Sequence, residues 1–173
     1  MSYSSSECYS LQDSLSEPEL KRIIDDLHFV VSIFNEIEGS SILFNESPLE
    51  PEILENLNLK VFHFLMQSTD FDPDNFATMR GIVQIPYSEY YTSAIDLIVK
   101  KRDKKKKVDV FVPLIIFLIF PKKDLFFYAR IAKRLEDYLS KIFEKGFQGI
   151  PTLNVLASIL NKLRKRIYSM DFI

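Results

Sequence analysis

Three aspartates alternate in the stretch DFDPDNF: Asp70, Asp72 and Asp74. Carboxylates at that spacing are how the first half of an EF-hand loop offers oxygen ligands to calcium. The sixth position is Asn75, where the sharp turn needs glycine, and the twelfth is Gly81, where the ion needs a bidentate glutamate. The stretch therefore reads as a solvated acidic loop. His28 and His63 are the only imidazoles, and neither has a second His or Cys at ligand spacing, so both read as ordinary, partly buried histidines. The lone thiol, Cys8, lies in a serine-rich segment with no fixed base to make a thiolate. There is no Gly-x-Ser-x-Gly elbow. Four glycines cannot furnish a glycine-rich phosphate loop, and one cysteine rules out a disulfide framework or a Cys-based zinc site. The residues thus argue for no catalytic group, no metal and no cofactor.

A stronger signal is Lys100-Lys101-Arg102-Asp103-Lys104-Lys105-Lys106-Lys107, with seven cations in eight residues. One reading is a solvated hairpin tip that keeps an apolar strand from aggregating. The other is contact of Lys104, Lys105, Lys106 and Lys107 with anionic lipid, worth roughly 1 kcal/mol per cation. Nucleic acid is not expected as a partner, because the whole chain is net −2 and no aromatic residues interleave the run. That small net charge hides a polarity. Residues 1–99 carry 17 acidic and 4 basic side chains (−13), and residues 100–173 carry 7 and 18 (+11). Such asymmetry points to an anionic partner for the basic half, or to neutralisation within one fold.

The elements that must carry these groups follow from periodicity. Residues 1–16, with seven serines, read as a disordered tail, and residues 17–173 as one domain. Ser16, Pro18 and Glu19 form a helix start, and that helix ends near Asp26. Leu27–Ile37 and Ser41–Asn45 read as a hairpin about Glu38-Gly39-Ser40. Pro51–Gln67 reads as a helix whose core stripe is Ile53, Leu54, Leu57, Val61, Phe64 and Leu65. Leu59, Phe62 and Met66 make a second apolar stripe on it. Residues 68–78 form a loop, Met79–Pro86 and Ser93–Lys100 are strands, and Tyr87–Thr92 is a tyrosine-rich connection. Val110–Phe120 is a central strand covered on both faces, with a bulge or break expected at Pro113. Its apolar run is too short for a spanning helix, which needs about 20 residues. Asp124–Lys145, stopped by Gly146, and Pro151–Tyr168 are amphipathic helices, the second with Leu153, Leu156, Ile159, Leu160, Leu163 and Ile167 inward. No signal peptide is read at the start and Ser2 excludes myristoylation, so a cytoplasmic location is expected, with peripheral membrane contact through the lysines. The order is β-β-α-β-β-β-α-α, an α/β three-layer sandwich with one five-stranded, mainly antiparallel sheet, one helix on one face and two on the other.

That order, over about residues 27–168, resembles the longin domain. FVVSIFNEIEGSSILFNES is similar to the opening hairpin of longin domains in nitrogen-permease-regulator-like proteins. Gly81–Tyr91 is similar to their third strand and following tyrosine, and PLIIFLIFPKKDLFFYARIAKRLEDYL to their last strand and second helix. The resemblance implies a non-catalytic platform in vesicle traffic or GTPase regulation. It would bind a small GTPase or another longin- or roadblock-like subunit. In those complexes GTPase activation is attributed to an arginine after the third strand. Aligned on Gly81 and Tyr91, this chain reads Tyr91-Thr92-Ser93-Ala94, and Ser93 cannot supply the arginine's cationic fork. The alternative is a small-molecule sensor, or another binding module, on a profilin- or roadblock-like frame, which requires a cavity with convergent polar groups. In the longin arrangement Leu59, Phe62 and Met66 would meet water, so the expectation is a partner-binding face, with a symmetric homodimer as its simplest use.

Overall fold

Ser16 starts the first helix by accepting a hydrogen bond from Glu19 N (3.4 Å), and Pro18 sits in the first turn, where no backbone donor is lost. The computed structural model describes residues 15–35, 38–67, 77–144 and 150–169. The elements are α1 Glu17–Asp25, β1 His28–Asn35, β2 Gly39–Asn45, α2 Pro51–Gln67, β3 Ala77–Gln84, β4 Tyr90–Arg102, β5 Asp109–Pro121, a 3₁₀ turn Lys122–Asp124, α3 Leu125–Glu144 and α4 Leu153–Tyr168. Gly39 turns the first hairpin with φ of 76°, a conformation that glycine adopts at no steric cost.

The strands form one antiparallel sheet in the order β2-β1-β5-β4-β3. The unbroken apolar run of β5 fits its central place. Leu114, Ile116, Leu118 and Phe120 enter one core, Ile115, Phe117 and Ile119 the other, and all are buried. The larger core lies under α1, α3 and α4, where Ile23, Ile24, Tyr128, Ile131, Leu135, Leu139, Leu156, Leu160, Leu163 and Ile167 close over Phe29, Val31 and Ile95. The smaller lies under α2, where Leu54, Leu57 and Phe62 cover Val30, Ala94 and Phe117. The result is a three-layer α/β sandwich.

The helix near Pro18 thus joins the two-helix face; it does not fold over α2. It is docked there by charge. Arg22 Nη2 donates to Asp124 Oδ1 (2.8 Å) and Nη1 to Asp124 Oδ2 (3.3 Å), while Tyr128 Oη donates to Ile23 O (3.1 Å). Asp124 is only 3% exposed.

Pro113 breaks nothing. The β4–β5 ladder runs without a register shift through Ile98–Pro113, and pairing of β5 with β1 has ended one residue later, at Leu114. The missing N–H falls on the side where β1 has run out. Pro151 is outside α4, whose cap is Thr152, accepting from Val155 N (3.4 Å); Leu153, expected inward, is exposed. The serine-rich tail as far as residue 14, Cys8, the aspartates of residues 70–74 and Gly146 lie outside the described residues.

On the α2 side the sheet buries polar atoms with no hydrogen-bond partner: Ser32 Oγ, Thr92 Oγ1 and, from the helix itself, Asn58 Oδ1. Each such atom costs about 1–3 kcal/mol.

Candidate functional site

The turn between β3 and β4 is tightly built. Ile85 N donates to Tyr90 O (2.9 Å), Ser88 Oγ donates to Ile85 O (2.9 Å), and Ser88 Oγ accepts from Tyr90 N (3.2 Å). Inside it Tyr87 adopts φ of 59°, the left-handed region that costs a residue with a Cβ roughly 1–2 kcal/mol. Its ring is 97% exposed, so no packing against the protein repays that strain. Lys122 N donates to Glu89 O (3.0 Å), which binds this turn to the start of α3. There Phe126, in the first helical turn, is 83% exposed. Side chains lean toward a helix's N-terminus, so Phe126 tilts toward the same end of the molecule as Tyr87. Val83, on the edge strand, is exposed too. Two rings held in water by a rigid turn and a helix start are the anchor type that dominates protein–protein contacts.

The opposite end of the same strand pair is cationic. Among the described residues, pairing of β4 with β3 runs to Leu97, opposite Ala77, and pairing of β5 with β1 to Leu114. Among the same residues Ile98–Arg102 and Asp109–Pro113 pair only with each other, with Val99 still buried in the larger core. At 3.4 Å per residue this two-stranded ribbon is about 17 Å long. Its turn is organised by Asp103. Its Oδ1 accepts from Lys105 N (2.8 Å) and Lys106 N (3.2 Å), and its own N donates to Val108 O (2.9 Å). Lys104, Lys105, Lys106 and Lys107 are all exposed on that turn. The strands run further into the lysine run than expected, and the turn spans only residues 103–108.

The expected stripe on α2 is not assembled. Leu59 is 59% exposed, but Phe62 is 4% exposed and packs on Phe34, with ring centroids 5.7 Å apart. The side chain of Met66 is outside the described residues. Phe62 is a core residue. Leu54, Leu57, Asn58 and Phe62 are all buried, so the inner face of α2 is centred on them and takes in Asn58. A reading by hydrophobicity alone passes over a buried asparagine.

Among the other candidates, His63 lies on the exposed face of α2. His28 opens β1 with its ring edge-on to Tyr90, centroids 6.2 Å apart. Burial pushes its pKa below the usual histidine range, and the nearby Glu46 only partly opposes this. Ser93 is buried in β4 and faces the larger core. Among the described residues no group of three His, Cys, Asp or Glu could hold a metal ion, and no helix is long and apolar enough to cross a membrane. An open groove of about 400 Å³ runs between α3 and α4, lined by Ile142, Val155 and Ile159 with Asn154, Ser158 and Lys162 beside them.

The tyrosine-rich connection was visible in the sequence, but not that Tyr87 and Phe126 lie at the same end of the molecule. The β4–β5 ladder, which begins at Tyr90 and Pro121, and the hydrogen bond from Lys122 N to Glu89 O bring the two segments together. The chain is a three-layer α/β protein with rings exposed at one end of a long strand pair and lysines at the other. No family model matches the chain, nor does any curated protein or solved structure.

Proposed function

We propose that this chain is a longin-type protein-interaction platform, non-catalytic in itself, that docks a small GTPase or a second longin- or roadblock-like subunit in membrane traffic or GTPase regulation. The observation that carries this reading is the exposure of Tyr87 and Phe126 at one end of the β4–β5 strand pair. The partner class comes from the resemblance in element order and in the opening hairpin; α2 covers one face of the sheet, and α1, α3 and α4 cover the other. Fold alone does not assign function, so the ring pair and not the sandwich is what must be tested.

The experiment is a pull-down of the host's small GTPases, each loaded with GDP or a GTP analogue. Wild type is compared with Tyr87→Ala and Phe126→Ala. Capture should fall at least roughly tenfold in each variant, the scale of an interface hot spot. Failure to capture any GTPase or longin-like subunit, or equal capture by the variants, refutes the proposal. Single-turnover GTP hydrolysis by the captured GTPase should not accelerate, because the aligned position holds Ser93. A rise on the order of 10³ or more would overturn the non-catalytic part.

A further inference from the structure

We infer that the β4–β5 ribbon is a membrane-contact arm whose lysine tip docks on an anionic bilayer surface. This does not rest on the GTPase-platform reading, since it uses the opposite end of the molecule.

The first observation is exposure. Lys104, Lys105, Lys106 and Lys107 all stand exposed on the turn that closes the β4–β5 strand pair. The second is freedom of the charges. Residues 100–109 carry seven cations and two aspartates, and no ion pair among the described residues involves Lys104, Lys105, Lys106 or Lys107. The third is presentation. Asp103 folds the turn by accepting two backbone N–H bonds, Lys107 takes φ of 54°, and Val108 is exposed beside the lysines.

A planar polyanion fits this shape. A flat anionic surface meets an exposed turn of four lysines, and Val108 beside them can enter the headgroup layer. A nucleic-acid duplex fits worse. Four lysines are point charges without the planar forks or rings that read bases.

The test uses the full chain and sedimentation with mixed phosphatidylcholine–phosphatidylserine vesicles, against pure phosphatidylcholine vesicles. Wild type should bind the mixed vesicles only. Affinity should fall as ionic strength rises from about 0.1 M to about 1 M, where the Debye length shrinks to about 3 Å. Replacing Lys104, Lys105, Lys106 and Lys107 by serine should weaken binding on the order of 10²-fold or more, at roughly fivefold per lysine. The turn is exposed, so the unfolding midpoint of that variant should match wild type, which separates lost contact from lost fold. A control away from the turn, Lys162→Ser with Lys165→Ser on α4, should bind as wild type, whereas Lys104→Ser with Lys105→Ser, which removes the same charge, should bind more weakly. The inference is overturned by equal binding to both vesicle types, by insensitivity to salt or to the four serines, or by an equal loss in the α4 control. Tighter binding to duplex DNA or to polyglutamate at matched salt, lost in the four-serine variant, would overturn it in favour of those partners.

Discussion

Asp124→Asn tests the account of how α1 is held. The wild-type carboxylate is 3% exposed and accepts two bonds from Arg22, at 2.8 and 3.3 Å. Each hydrogen bond to a charged group contributes about 1.5–3 kcal/mol, so the pair sets an upper bound of roughly 6 kcal/mol. Two facts reduce it. The Arg22 side chain is 39% exposed, and it keeps its bond to Asp26 at 3.1 Å after the substitution. The asparagine also preserves the shape and one acceptor. We expect a loss of about 2 kcal/mol, read as a lower urea midpoint at unchanged slope. A double-mutant cycle with Arg22→Met isolates the pair, and its coupling should be about 1–2 kcal/mol. Coupling below roughly 0.3 kcal/mol would refute the reasoning, because the buried carboxylate would then be compensated by something other than Arg22.

Four further outcomes follow from particular residues. Phe62→Ala should cost about 3–5 kcal/mol in urea unfolding, whereas Leu59→Ala on the exposed face should change stability by less than about 0.5 kcal/mol; equal effects would mean that α2 is rolled otherwise. Thr92→Val removes a buried, unpartnered hydroxyl with little change of shape and should stabilise by about 1 kcal/mol; a lower midpoint would show that Oγ1 has a partner. His28 has a folded pKa below its unfolded value, so the unfolded chain binds the proton more readily. Its contribution is full above about 6.5 and is lost as pH falls from there toward the folded pKa, so His28→Gln should flatten the stability–pH curve in that window. For Asp26, burial raises the pKa, but hydrogen bonds from Lys123 and Arg22 prevail and hold it below the usual carboxylate range. Its contribution is therefore present above the unfolded pKa and lost in stronger acid, and Lys123→Met should shrink that acid-side slope in titrated unfolding curves.

The element order was legible in the sequence because each element carries its own period and its own stops. Ser16, Pro18 and Gly39 mark boundaries by local chemistry, and the structure places them where those rules require. What was illegible depends on partners distant in sequence. Asn58 reads as a polar, outward residue until the sheet beneath α2 is known. The harmlessness of Pro113 depends on where β1 ends. The side chosen by α1 depends on where Ile23 and Ile24 find a core and Arg22 finds Asp124, which lies 102 residues away. The rings of Tyr87 and Phe126 stand alone in the sequence, and it takes the β4–β5 pairing that starts at Tyr90 and Pro121 to put them at one end.

The sheet order has a consequence for how the chain acquires its structure. β1–β2 and the β3–β4–β5 meander are each made from sequence neighbours, and both can form by short loop closure. The one strand pairing that joins them, His28–Ile33 against Leu114–Ile119, closes a loop of more than eighty residues. Loop-closure entropy must be met before that contact contributes anything, so it should be the slow, committing event of folding. The central strand would then wait half-covered, its apolar run exposed along the β1 side. Pulse-labelled hydrogen exchange should find amides of β4 protected before those of β1. Simultaneous protection would place the long-range seam inside the nucleus. On this ordering the ribbon's lysines would also act before the native state exists, keeping the nascent meander apart from its own copies until β1 arrives.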